Sequence, residues 1–288
     1  MPADLSVLIG AGLLTSALLG VTLFLRERAL RSTRPVPPGF QEHINLPFDA
    51  QWTLYHNPFS LCSKKIRVCL AEYGVPYDSI VIDLIETGRY QNISREFLKV
   101  NPAATVPVLL HNGHPIYESH EQLGYVASTV DEAGLLVPQD IQLRHVMDAW
   151  VQKTSLLGDD PIDSPETTAG NAAPGLTIPI FAFMVAKIPT WKIVEGLLFH
   201  RIKQRAAFFL LMKLAGLQKV LSLKPVTGIL NRSAKALAIH LDELAAQLEC
   251  LRASAPPPAA APVEDERKTE PDTTEPDTPP LLGALGRS

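Results

Sequence analysis

Three hydroxyl or thiol side chains lie close together in the stretch PFSLCSKKIR at residues 58–67, namely Ser60, Cys62 and Ser63. These residue types could activate a thiol. A free thiol titrates near about 8.5 and reacts as the thiolate, so at neutral pH it needs a hydrogen-bond donor or a positive field. The stretch precedes a helical pattern, and a helix start offers unpaired N–H groups and a positive dipole end. Ser60 is the candidate donor, although serine at this place also serves as an N-cap.

The sulfur that Ser60 would activate is either that of Cys62 or that of a bound molecule. The chain has three cysteines, Cys62, Cys69 and Cys250, too few for a disulfide framework. Cys62 and Cys69 would lie two helical turns apart, roughly 10 Å along the axis, which is too far for a disulfide. Cys69 falls on an apolar stripe and is expected in the core. Cysteines that remain free thiols indicate that the protein works in a reducing compartment.

Strand and helix patterns alternate around the stretch. Period-two or β-rich runs at residues 52–56, 77–84, 106–110 and 114–118 predict strands, and residues 62–74, 94–100 and 119–130 predict helices. Asn112-Gly113 between the last two strands is typical of a tight hairpin turn. The predicted order is βαβαββα, an α/β domain over residues 51–133.

An all-α domain is predicted to follow over residues 139–252. Residues 141–157 and 230–251 have helical periodicity. Between them, residues 187–224 are apolar and aromatic but carry eight Lys or Arg and a single acid, Glu195. That stretch either lies on an anionic membrane surface or packs its apolar faces inside the α-domain with a solvated basic rim.

The N-terminal segment has the length and composition of a transmembrane helix. Residues 5–25 carry no charge, and a helix of that length spans a hydrocarbon core of roughly 30 Å. A cleaved signal peptide is the alternative, but the leader MPAD has no basic residue. We therefore expect a single anchor over residues 1–30. Arg26, Arg28, Arg31 and Arg34 would keep the folded part on the cytosolic side.

Two further segments are predicted to lack a fold of their own. Residues 31–50 contain RSTRPVPPGF and are interpreted as a proline-stiffened tether. Residues 253–288 are rich in proline, alanine, threonine and acids, with too little apolar surface to repay the entropy of ordering, and predict a disordered acidic tail.

Charge and histidine content exclude two classes of site. The formal net charge of -4 gives no field that would attract nucleic acid. His111 and His114 flank the hairpin turn without a third ligand, so we interpret them as solvated residues at strand ends and expect no metal.

Three motifs in order resemble one family. YHNPFSLCSKKIR, NPAATVPVL and ESHEQLGYV resemble the N-terminal domain of the cytosolic glutathione transferase superfamily over about residues 52 to 130. The Ser-x-Cys-Ser tract is similar to that of the zeta-like group, which includes maleylacetoacetate isomerases and glutathione-dependent reductive dehalogenases. The resemblance implies a thioredoxin-like domain followed by a helical domain, with glutathione as cosubstrate.

The resemblance also implies roles for individual residues. Ser60 would activate the thiol of glutathione, and Cys62 is the second candidate as nucleophile or mixed-disulfide partner. Pro107 resembles the family's cis-proline, which leaves the backbone of Val106 free to pair with the cysteinyl backbone of glutathione. Ser119 and the helix start would hold the γ-glutamyl carboxylate, and Glu118 the ammonium group, although Ser119 could be only an N-cap.

The sequence departs from the family at two places. His120 stands where the family has a small apolar residue. After residues 230–251 an acidic proline-rich insertion replaces the loop to a capping motif, so the helical domain is expected to be incomplete.

These observations lead to one main functional hypothesis and two alternatives. The first is a membrane-anchored glutathione transferase that acts on a small electrophile by conjugation, isomerisation or dehalogenation, with membrane lipid and a second copy of the chain as further partners. The second is a non-catalytic glutathione-binding or interaction module. The third is a monothiol redox protein that works through Cys62.

Overall fold

A five-stranded mixed sheet organises the N-terminal half. The computed structural model describes residues 2–131, 137–157, 161–200 and 203–254. The strands are β1 (Gly39–Phe40), β2 (Trp52–His56), β3 (Asp78–Val81), β4 (Val108–His111) and β5 (His114–Tyr117). Their order in the sheet is β1-β5-β4-β2-β3, with β2 and β3 parallel and the other pairs antiparallel. This is the thioredoxin-like arrangement that the motifs predicted.

Ten α-helices are described. Four belong to the N-terminal half or precede it: α1 (Pro2–Leu30), α2 (Leu61–Glu72), α3 (Arg95–Val100) and α4 (Ser119–Val130). The others are α5 (Ile141–Lys153), α6 (Ala169–Val185), α7 (Thr190–Phe199), α8 (Lys203–Ala215), α9 (Leu217–Leu221) and α10 (Lys224–Ser254). Short 3-10 turns occupy Ile85–Thr87, Gln91–Ile93 and Pro161–Asp163. The predicted helices at 141–157 and 230–251 are present, the first ending earlier and the second beginning earlier than expected.

Local signals account for the boundaries of α2 and of the hairpin. Ser60 caps α2, and the chain leaves the helix through Gly74, whose φ of 64° is in the left-handed region that glycine adopts without strain. Asn112 and Gly113 have φ of 50° and 83°, as the predicted tight turn requires.

The two faces of the sheet bury different clusters. Trp52, Leu54, Leu109 and Ile116 pack with residues of α2 and α4 on one face. On the other face, Val108, Leu110 and Tyr117 pack with Phe97 of α3. Cys69 is buried in the first cluster, as predicted.

The segment predicted as a free tether is instead partly built into the sheet. Gly39 pairs with Tyr117 and Phe40 with Ile116, so that β1 extends the edge beside β5. The Phe40 ring also stacks on Tyr125 with ring centroids 5.0 Å apart. An uncovered strand edge presents unpaired backbone groups, and this segment satisfies them. The tether prediction over residues 31–50 is therefore wrong for this part of the segment.

The helical half has its own core, to which the first half contributes. Ile188, Ile193, Phe209 and Met212 are buried together with several residues of the first half, including Tyr90. Several apolar side chains of residues 187–224 thus pack inside an α-domain, as one of the two interpretations left open requires. The basic stretch also keeps large apolar side chains exposed: Trp191, Val194, Leu198, Leu211, Leu214 and Leu223.

The chain divides into two units, residues 1–244 and residues 245–288. Of the second unit, only the end of α10 is described, through Ser254. Apart from its first two residues, the predicted acidic tail at 253–288 lies outside the described residues.

Candidate functional site

Ser60 lies at the start of α2 as its N-cap. Its hydroxyl oxygen accepts a hydrogen bond from the backbone N–H of Ser63 at 3.2 Å. A hydroxyl keeps a donor while it accepts, so the Ser60 proton is available to a ligand sulfur even though the oxygen caps the helix. The two interpretations of Ser60 are therefore compatible.

The loop before α2 is fixed by a buried asparagine that the sequence analysis missed. The Asn57 side-chain amide donates to the carbonyl of Ile82 at 2.8 Å, and its oxygen accepts from the N–H of Phe59 at 3.0 Å. The Asn57 backbone N–H donates to the hydroxyl of Ser63 at 3.3 Å. An Asn-Pro pair typically starts a turn, and that was the available signal. Asn57 thus ties the loop that carries Ser60 to Ile82, the residue that follows β3.

The start of α4 differs from the prediction. The N-cap residue is Glu118, with φ of 67° and no side-chain capping bond, whereas Ser119 is the first residue of the helix and is buried. The interpretation of Ser119 as a cap is therefore wrong. The first-turn N–H groups of α4 gain no partner from the Glu118 side chain, which leaves them suited to an anion.

The thiol of Cys62 lies where the starts of α2 and α4 meet. Burial raises the pKa of the Cys62 thiol, a hydrogen bond with the Ser119 side chain and the Lys65 ammonium oppose this shift, and Glu118 adds to it. The net pKa is raised, so Cys62 is protonated at neutral pH and is not a preformed nucleophile. Cys69, seven residues further along the same helix, has a pKa raised to about 11 by burial.

A second buried polar residue joins α4 to the predicted backbone site. The Val106–Pro107 bond is cis, as the resemblance implied. The Gln122 side chain is fully buried and donates to the carbonyls of Pro107 at 3.1 Å and Ile116 at 2.7 Å. Gln122 was not singled out from the sequence, although a polar residue three positions after Ser119 on the inner face of a helix was a usable signal.

A cleft of about 1080 Å³ opens beside Cys62, between α2 and α4 on one side and α5 and α6 on the other. Its lining is mainly apolar and includes Val68, Met147 and Val151. The ammonium group of Lys65 lines it as well and donates to the carbonyl of Thr154 at 3.2 Å. A small apolar molecule with one negative group would fit such a cleft.

The histidines beside the hairpin are structural. His111 stacks on Trp52 with centroids 4.0 Å apart, and its Nδ1 lies 2.8 Å from the Tyr125 hydroxyl. The Nδ1 of His114 lies 2.8 Å from the carbonyl of Ile44. Both residues lie at strand ends, as interpreted, but they are half-buried and have partners within the protein, so they are not simply solvated. Among the described residues, no group of three or more His, Cys, Asp or Glu could hold a metal ion.

The candidate residues thus fall into one neighbourhood. Ser119 and Glu118 both influence the pKa of the Cys62 thiol, and Ser60 lies two residues before Cys62 at the same helix start. Gln122 links Pro107 to the same helix as Ser119.

Comparison with known proteins points the same way. The family model of the glutathione S-transferase N-terminal domain matches residues 59–129. This region is similar to that domain. A probable maleylacetoacetate isomerase 2 of Drosophila melanogaster is 36% identical over 96 residues, which cover 33% of this chain and 41% of that protein. The maleylacetoacetate isomerase of Rattus norvegicus is 38% identical over 94 residues, covering 33% and 43%.

A solved structure extends the likeness beyond the first half. The β-etherase LigF from Sphingobium sp. strain SYK-6 superposes with a TM-score of 0.50 and 18% identity, covering 68% of this chain and 72% of that one. This likeness concerns the fold alone. The chain spans less than half the length of the two isomerases. The sequence similarity to the glutathione S-transferase N-terminal domain is thus shown for residues 59–129.

Proposed function

We propose that the protein is a zeta-like glutathione transferase in which Ser60 keeps the thiol of glutathione deprotonated. The observation that carries this proposal is that two helix starts lie side by side: Leu61 and Cys62 of α2 and His120 and Glu121 of α4 line one cleft. Each helix start favours an anion, and glutathione presents a thiolate and a γ-glutamyl carboxylate. The matched domain and the isomerase relatives support the same class.

Four chemical groups of glutathione have a candidate partner. The thiolate accepts a hydrogen bond from Ser60, the γ-glutamyl carboxylate meets Ser119 and the first N–H groups of α4, and the ammonium pairs with Glu118. The cysteinyl backbone pairs with Val106 as a short added strand. The electrophile occupies the cleft, whose lining is mainly apolar.

The reaction begins when the glutathione thiol gives its proton to solvent. The thiolate electron pair then forms a bond to an electrophilic carbon, and either a leaving group departs or the adduct later eliminates glutathione to give an isomer. Rate enhancement comes from the larger thiolate fraction and from holding the two reactants next to each other.

Because the pKa of Cys62 is raised, the sulfur of bound glutathione is favoured over that of Cys62 as the nucleophile. Cys62 would then be a neighbour that donates its S–H toward the bound thiolate, with a covalent role as the second option. Without a second cysteine beside it among the described residues, a dithiol cycle has no partner.

Glutathione binding to the full chain in detergent tests this assignment, with calorimetry for uptake and the ultraviolet absorbance of the thiolate for its pKa. We expect Ser60→Ala to bind glutathione while its neutral-pH thiolate fraction falls about 10- to 100-fold, and Ser60→Thr to retain the thiolate. Absence of uptake at millimolar glutathione would refute the proposal. Turnover lost only in Cys62→Ala would transfer the main role to that thiol, and binding without any turnover would favour a non-catalytic module.

The helix α1 is proposed to anchor the protein in a membrane. Its segment Ser6–Leu30 has a mean hydropathy of 2.1 and is long and apolar enough to cross a bilayer. The arginines that follow the apolar run support a single pass with the folded part in the cytosol. Retention of the full chain in membranes after alkaline carbonate washing supports the anchor, and release into the wash contradicts it. In intact vesicles whose cytosolic face is outward, added protease should remove an epitope on the folded part, and protection of that epitope would contradict the proposed orientation.

A further inference from the structure

The last turn of the apolar segment of α1 contacts the end of α7. The rings of Phe24 and Phe199 have centroids 5.8 Å apart. Phe24 is within the uncharged run that ends before Arg26. If α1 crosses a bilayer, Phe199 is therefore at the level where the hydrocarbon core ends.

A second set of contacts fixes the direction of α7 relative to α1. The guanidinium of Arg31 bonds Glu195 at 2.6 Å and lies over the Phe199 ring at 4.4 Å. Phe24 pairs with Phe199, and Arg31 pairs with Glu195. Going from Arg31 back to Phe24 along α1 therefore leads in the same direction as going from Glu195 forward to Phe199 along α7. The two helices are thus antiparallel, and α7 ends toward the membrane side.

Polar contacts hold this arrangement in place. Arg31 also donates to the carbonyl of Ile93 at 2.8 Å, and Lys192 bonds Glu195 at 2.5 Å. Burial alone would raise the pKa of Glu195, but the hydrogen bonds from Lys192 and Arg31 outweigh it and keep the pKa below its usual range. A charged Glu195 therefore ties the end of α1 to α7 at neutral pH.

The residues at this end of α7 have the composition of a membrane interface. Leu198 is exposed, and Lys203 and Arg205 are exposed at the start of α8. No Asp or Glu occurs in the sequence between residues 196 and 241. Two acids, Glu27 and Glu195, lie beside this rim, but both are paired with Arg31. The remaining apolar, aromatic and cationic residues complement an anionic lipid surface.

We propose that this corner, defined by Leu198, Phe199, His200, Lys203 and Arg205, contacts anionic lipid headgroups of the bilayer that α1 crosses. The inference rests on the proposed anchor. Its partner is the lipid surface itself, since the corner continues directly from the spanning segment through Phe24. The contact would hold the folded part against the membrane at a fixed orientation, with α7 rising away from the surface.

Tryptophan quenching by lipids brominated on their chains tests the corner in the full chain. The protein carrying Leu198→Trp and Trp191→Phe is reconstituted in phosphatidylcholine vesicles, with or without about 30% phosphatidylserine. The same chain with only Trp191→Phe gives the background from Trp52 and Trp150. We expect quenching above that background, stronger with phosphatidylserine and weaker at high salt.

A matched pair of charge reversals sharpens the test. Lys203→Glu removes an attraction and adds a repulsion, so we expect the ratio of docked to undocked corner to fall about 25-fold in anionic vesicles. Lys235→Glu, the same change at an exposed position of α10, should leave quenching unchanged. Retained glutathione binding checks that each variant is folded.

The possible outcomes distinguish the proposed lipid contact of the corner from the proposed membrane anchoring by α1. Release of the chain by carbonate contradicts the anchor and removes the basis of the corner. If the chain carrying Leu198→Trp resists carbonate but is quenched no more than background, or equally with and without anionic lipid, the corner alone is overturned.

Discussion

The starts of α2 and α4 meet at Cys62 but are capped in different ways. At α2, Ser60 has extended backbone angles and its side chain accepts from Ser63. At α4, Glu118 has a φ of 67° and contributes no side-chain capping bond. At α2 the protein itself satisfies part of the free backbone N–H groups of the first turn. At α4 those N–H groups are left to solvent or to a ligand. This difference suits a thiolate at α2 and a carboxylate at α4.

The two starts also differ in what holds them. Asn57 uses both its amide nitrogen and its oxygen to fix the loop before α2. Gln122 fixes α4 through its nitrogen alone, because its buried oxygen has no partner among the described residues. We expect the support of α2 to contribute more to stability than the support of α4.

The largest effect is expected from Asn57→Ala. The change removes two hydrogen bonds and leaves the buried carbonyl of Ile82 without that donor, so the free energy of unfolding should fall by about 3 kcal/mol. Urea unfolding of the full chain in detergent measures it, with Asn231→Ala at an exposed site of α10 as the control. Equal midpoints for the two variants would show that α2 does not depend on this loop.

Gln122→Leu should cost less, about 1 to 2 kcal/mol. The variant loses two bonds to carbonyls but also removes a buried oxygen that has no partner, and the two effects partly cancel. Glutathione affinity should weaken more than stability suggests, because α4 would no longer be tied to Pro107. Gln142→Leu, at an exposed position of α5, controls for the added apolar surface. A loss as large as that of Asn57→Ala would remove the contrast between the two supports.

Sequence signals that act within a few residues predicted much of this region. The Ser60 cap, the Gly74 exit and the Asn112-Gly113 turn each depend on neighbours along the chain, and each is present. Asn57 and Gln122 were missed because their partners lie 25 and 15 residues away. The left-handed angle at Glu118 was missed because non-glycine residues adopt it only when surrounding structure imposes it.

Other parts of the fold were not predicted because their sequences lack the usual pattern of a strand or a helix. The strand β1 has two residues and no alternation to detect. Helix α6 contains Pro174 and Pro179, which the rules for helix interiors disfavour, and tertiary packing overrides them. His111 looked like a solvated turn residue because its stacking partner Trp52 is distant in sequence. Long periodic segments such as α10 were predicted, although its first turn was not.

Ser60→Ala and Ser119→Ala compare the two starts directly. Ser60→Ala should lower the free energy of unfolding by about 1 kcal/mol, since it removes an N-cap. Ser119→Ala should change stability by less, because Ser119 caps nothing, yet it should raise the pKa of Cys62 by removing a bond that favours the thiolate. Thermal unfolding and the pH dependence of Cys62 alkylation measure the two effects. A larger stability loss for Ser119→Ala would show that the α4 start is the one that the protein satisfies internally.

The smallest effect is expected at Lys65, whose positive charge favours the Cys62 thiolate. Lys65→Gln should raise the pKa of Cys62 and slow its alkylation at neutral pH about threefold, because only the thiolate reacts. Lys64→Gln, the adjacent and exposed lysine, should change the rate less, and mass spectrometry distinguishes Cys62 from the exposed Cys250. Equal slowing by both variants would mean that alkylation responds to the general charge of α2. Slowing by Lys65→Gln alone would show that the meeting point of the two helix starts has a local field of its own, which a bound glutathione thiolate would share.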